Sequence, residues 1–168
     1  MKTDFYKCCG ATERHDALIK IGETSYLLIY GFGTDENGAT YDNRKYYDHN
    51  PTIAEMRADI DALINASVDE KILSGFVWNG KPVWLSAENQ MNFKSAYDIT
   101  VQTDGATLPI KFKLGEDADG TPVYHTFTKI EPFGDFILKA FAHINNALNE
   151  GWKQKDSVDY DSFVLRDE

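Results

Sequence analysis

The chain has 168 residues, 42% of them hydrophobic, which suffices for a core of the size that domains of about 100–200 residues bury. Its 17 Lys and Arg stand against 27 Asp and Glu, and the formal charge of −10 opposes association with nucleic acid or an anionic membrane. No run approaches the roughly 18 apolar residues of a membrane helix, and Met1-Lys2-Thr3-Asp4-Phe5-Tyr6 lacks the apolar stretch of a signal peptide, so a soluble chain without a secretion signal is expected.

Cys8 and Cys9 are adjacent, and a bridge between neighbours closes a strained small ring, so the pair reads as reduced thiols. A zinc site with His15 lacks both the spacer that lets two sulfurs reach one ion and a fourth ligand. From Asp16 to Phe32, two β-branched and aromatic runs around Gly22-Glu23 predict a hairpin. Gly33 to Gly38 is a cluster of turn residues, and Ala39 to Tyr47 reads as a third, more exposed strand. Residues 1–50 thus form a small β meander, an N-terminal interaction or attachment module. Within it Tyr41, Arg44, Tyr46 and Tyr47 are the candidate binding residues, because tyrosine and arginine concentrate at interfaces and tyrosine rings stack on sugars. The competing reading is an edge strand whose tyrosines half cover the core.

Asn50-Pro51 breaks the chain before a second domain over residues 51–168. Thr52-x-x-Glu55 is a capping box, and Ile53, Met56, Ile60, Leu63 and Ile64 recur at helical spacing to about Ala66. Ser67-x-x-Glu70 offers a second box for a short turn ending at Gly75. Phe76 to Trp84 is a hairpin about Asn79-Gly80, with Pro82 requiring a strand side free of ladder bonds. Ser86 caps a helix bearing Phe93, Ala96, Tyr97, Thr100 and Val101 on one face, to near Gly105. Leu108, Ile110, Phe112 and Leu114 alternate with polar residues or proline, Gly115 to Gly120 turns the chain, and Val123 to Phe127 returns as the partner strand. Thr128-x-x-Glu131 opens the longest helix, whose stripe of Phe133, Ile137, Ala140, Phe141, Ile144, Leu148 and Trp152 is expected to face the core with Trp78 and Trp84. Asp156 to Glu168 is an acidic tail of weak pattern. The fold class is α+β: antiparallel hairpins packed against about three helices, preceded by the β meander.

Asp117-x-Asp119-Gly120 resembles part of a calcium loop, but Thr128 stands where the bidentate Glu belongs and the required Gly is absent, so it reads as a solvated turn, as does Thr34 to Gly38. His15, His49, His125 and His143 fall in no metal-pair or nucleophile motif, and no glycine loop for phosphate is present. The reading is a non-enzyme with no metal and no cofactor.

From about residue 55 to 158 the order of features resembles a domain of unknown function that recurs in tailed-bacteriophage tail-fibre and tail-fibre-assembly proteins. The residues carrying the resemblance are Ser74-Gly75-Phe76-Val77-Trp78-Asn79-Gly80, Val83-Trp84-Leu85-Ser86 with Asn89-Gln90 and Asn92, Gly105-x-x-Leu108-Pro109, and Gly151-Trp152-Lys153-x-Lys155. It implies a non-catalytic structural or assembly protein of the phage tail that binds other tail or virion proteins and copies of itself. Its place would be the virion or, during assembly, the host cytoplasm. A carbohydrate-binding receptor module of a phage tail is the alternative, with a glycan on the Tyr41 to Tyr47 stretch, and an uncharacterised enzyme is a second alternative.

Overall fold

The computed structural model describes residues 4–11, 16–163 and 165–167, which leaves His15 outside the described residues. In chain order it contains β1 (Tyr6–Cys9), β2 (Ala17–Lys20), β3 (Tyr26–Thr34), β4 (Thr40–Tyr47), α1 (Ile53–Ser74), β5 (Phe76–Trp78), β6 (Lys81–Val83), α2 (Ala87–Gln102), β7 (Ile110–Glu116), β8 (Pro122–Phe127), α3 (Ile130–Asp156), a 3-10 turn (Tyr160–Ser162) and β9 (Leu165–Asp167). The fold is α+β, with antiparallel hairpins, three helices among the described residues and an N-terminal meander. Two compact units divide it: Met1–Ala66 with Lys153–Glu168, and Ser67–Trp152. Asn50-Pro51 therefore lies inside the first unit, where Pro51 is buried.

The first unit is built on a five-stranded sheet in the order β1-β4-β3-β2-β9, antiparallel except for the parallel β2–β9 pair. Two of these strands were illegible in the sequence. β1 and β9 have four and three residues, too few to display alternation. Their presence corrects the edge-strand reading of Ala39 to Tyr47, since β4 lies between β1 and β3. Residues directly opposite in a sheet share a face. Leu27 and Ile29 thus join Ala17 and Ile19 in one buried cluster, while Leu18 and Leu28 are buried on the other face. α1 opens on the expected capping box: the Glu55 N–H donates to Thr52 Oγ1 (3.2 Å) and the Thr52 N–H to Glu55 Oε2 (2.8 Å). Met56, Ile60 and Ile64 form its buried stripe in this unit. The helix continues to Ser74, so Ser67 is an interior residue and caps nothing; no glycine or proline between 53 and 74 stops it.

The second unit packs two hairpins on helices around an aromatic core. β5 and β6 turn at Asn79 and Gly80, whose φ angles of 50° and 74° are those of a two-residue turn that favours Asn-Gly. The Trp84 N–H donates to the Leu114 carbonyl (2.7 Å), tying the end of this hairpin to β7. Phe127 stacks on Phe133 with centroids 4.4 Å apart, and Trp78 and Phe93 meet Phe136 edge-on. Trp78 is fully enclosed because its indole N–H donates to Asp135 Oδ2 (3.0 Å), giving a buried polar tip its partner. The expected face of α3 is corrected: Phe133, Phe136, Ala140, Ala147 and Gly151 are buried, whereas Phe141 is 64% and Trp152 55% exposed. Nearly half of this helix is apolar, and its buried face joins Phe133 and Phe136 with the small residues Ala140, Ala147 and Gly151. Trp84, also expected in the core, is 48% exposed.

Candidate interaction surface

The four residues singled out in the sequence lie on β4, and strand geometry sends them to two faces. Tyr41 and Tyr47 share one face with Lys45, and Arg44 and Tyr46 share the other with Asp42. On the first face Lys7 Nζ stands 3.7 Å above the Tyr41 ring, a cation–π contact. Asp59 of α1 accepts the Tyr47 hydroxyl and the Lys45 ammonium, the latter at 2.7 Å. Burial first, and then the bond to Asp59, raise the Tyr47 phenol above its ordinary pKa, which keeps it a protonated donor. Tyr47 is thus a tie between sheet and helix and not an open ligand.

On the second face Arg44 grips Asp42 through two bonds, Nε to Oδ1 at 2.7 Å and Nη2 to Oδ2 at 3.0 Å. Asp42 is 2% exposed, and this fork supplies the charge-assisted partner that a buried carboxylate needs. Tyr46 is different. It is 60% exposed and stacks on Tyr6, itself 40% exposed, with centroids 5.6 Å apart and planes 15° from parallel. Of the predicted set, then, the structure leaves Tyr46 presented to solvent and adds Tyr6, which sequence reasoning missed along with β1. Asp42 was also missed, although its i, i+2 spacing to Arg44 on a strand is a readable sign of a same-face pair.

Of the residues that carry the family resemblance, Lys153 and Lys155 fall in the first unit and those from Ser74 to Trp152 in the second. Their roles there are architectural. Phe76 and Trp78 are core, Asn79 and Gly80 turn, and Ser86 Oγ accepts the Asn89 N–H (3.2 Å) as the α2 N-cap. The amides of Asn89 and Gln90 reach back to the carbonyls of Trp84 (2.9 Å) and Leu85 (2.7 Å), so the Trp-Leu-Ser-x-x-Asn-Gln run is a clamp on the start of the helix. Pro109 follows a cis peptide bond, and Gly151 is buried while Trp152 is exposed. A shallow groove of about 150 Å³ runs between α2 and α3, lined by Leu85, Phe93, Ile137, Phe141 and Ile144 among others.

Elsewhere, His125 packs against Trp78, and burial first, then the Lys81 ammonium at 3.1 Å, lower its pKa. Cys8 and Cys9 are free thiols. Among the described residues no three metal-ligating side chains come together, and no helix is long and apolar enough to cross a membrane. Compared with protein-family models, with curated proteins and with solved structures, the chain matches none of them.

Proposed function

We propose that the chain is a bacteriophage structural or assembly protein of the tail or tail-fibre region that works through contacts with other tail or virion proteins and without catalysis. The setting comes from the family resemblance of residues 55–158. The observation that supports a contact role is the Tyr6–Tyr46 pair, two stacked rings left on the surface by a strand whose Tyr41, Arg44 and Tyr47 are engaged within the unit. Exposed aromatic rings with a hydroxyl rim are the side chains that most often anchor protein interfaces. The Tyr6→Ala, Tyr46→Ala double variant should melt close to the parent and lose tenfold or more of its recovery with purified virions or with a tail-fibre protein from the same genome. Equal recovery of parent and variant, or absence of the parent from both, would overturn the proposal. The same exposed ring of Tyr46 favours a second reading as a sugar platform. Glycan-array binding that disappears in the double variant would select it instead.

A further inference from the structure

Helix α3 leaves a seam of apolar side chains uncovered. Leu138, Phe141 and Trp152 are 67%, 64% and 55% exposed, and Leu148 is half-buried. With Asn145 these residues recur at alternating intervals of three and four, the spacing of a coiled-coil seam, and they occupy one side of the helix over about 21 Å. A run of this kind on a surface calls for a partner.

We infer that this seam is an interface between two copies of the chain, paired antiparallel through α3 about a two-fold axis near Asn145. Three features select a second copy as the occupant. The seam is close to palindromic about Asn145, with Phe141 and Leu148 flanking it and Leu138 and Trp152 at equal distances beyond, so reversal superposes apolar on apolar. The groove between α2 and α3, lined by Ile137, Phe141 and Ile144, lies toward the start of the seam, whereas its largest knob, Trp152, lies at the end. Antiparallel pairing brings each Trp152 to the other copy's groove; parallel pairing sets the two indoles against each other. Asn145 is the polar residue of the seam; its Nδ2 donates to the Phe141 carbonyl (3.0 Å), which leaves the second N–H and the amide oxygen for the same residue of the other copy, the device by which a seam asparagine fixes register. The exposed parts of these side chains supply on the order of 500 Å² per copy, below the roughly 800 Å² of a standard stable interface, so the dimer is weak and depends on concentration. The inference stands apart from the tail reading and concerns a different unit from Tyr6 and Tyr46.

Sedimentation of the full chain from micromolar to sub-millimolar concentration tests it. The parent should move from the 19.0 kDa monomer toward twice that mass. Trp152→Ala should weaken the association roughly thirty-fold, and Phe141→Glu should abolish it, with the thermal melt of each checked against the parent. In a Cys8→Ser, Cys9→Ser background, Asn145→Cys should oxidise to a covalent dimer and Leu138→Cys should not. A chain that stays monomeric throughout, a dimer indifferent to Phe141→Glu, or cross-linking as efficient at position 138 as at 145 would each overturn the inference.

Discussion

Asp42 and Arg44 are partners of unequal standing. The carboxylate is buried, while the guanidinium side chain keeps 29% of its surface in water. Removing Asp42 lets Arg44 turn outward, whereas removing Arg44 strands a charge inside the sheet. Arg44→Ala should therefore cost roughly 3 kcal/mol in urea denaturation and Asp42→Asn about 1–2 kcal/mol, and the reverse order would show that Arg44 is the residue held against its preference. At the start of α1 the polar cluster is exposed and its test is pH. The Thr52 N–H, then its hydroxyl, then His49 lower the Glu55 pKa from 4.5 to about 2, and bonds to Asp48 and Glu55 raise that of His49 above 6.5. Glu55 stabilises the fold above pH 4.5 and loses this contribution as pH falls toward about 2. His49 contributes below pH 6.5 and loses its share as pH rises through its raised value. The melting deficit of Glu55→Gln should accordingly shrink between pH 4.5 and about 2, and that of His49→Ala should shrink as pH rises above 6.5. A deficit constant with pH in both variants would remove the ionic account of this helix start.

At the scale of elements, several helix starts and tight turns were legible because their signals are local, although Ser67-x-x-Glu70 carries the same local signal inside α1. Thr52 with Glu55, Ser86, and Asn79-Gly80 each act within a few residues, and each makes the bonds or angles that its chemistry requires. Ser86→Ala should cost about 1 kcal/mol, measured by chemical denaturation, since one orphan N–H of α2 loses its acceptor. Gly75 illustrates a constraint that only packing reveals. A Cβ there would stand 2.4 Å from the Lys71 carbonyl oxygen, a backbone atom that also accepts the Gly75 N–H. Gly75→Ala should destabilise by roughly 1–3 kcal/mol through the forced shift at the end of α1, and a neutral effect would show that the helix end gives way freely. What stayed illegible was non-local. β1 and β9 exist because β4 and β2 offer them edges, and nothing within four or three residues announces such a neighbour.

For the molecule as a whole, the aromatic core was foreseeable in composition and less so in which side chains enter it. α3 carries apolar residues around so much of its circumference that periodicity alone could not choose between Phe136 and Phe141. Phe136 is fully buried, so Phe136→Ala should cost roughly 3–5 kcal/mol, while Phe141→Ala should leave the urea midpoint of a dilute sample nearly unchanged. A large loss for Phe141→Ala under those conditions would return it to the core. The sequence singles out Tyr41, Arg44, Tyr46 and Tyr47 by residue type alone, but their surroundings depend on which face of β4 each occupies and on a neighbouring strand the pattern does not show. The parallel pairing of β9 with β2 has an effect on the order of assembly during synthesis. Ser67–Trp152 is one uninterrupted stretch and is complete while residues 165–167 are still to be translated. Leu18 must wait for Leu165 across nearly the whole chain, so the outer edge of β2 stays bare until residues 165–167 have been made, and the β2 edge is the part of the first sheet exposed for longest during synthesis.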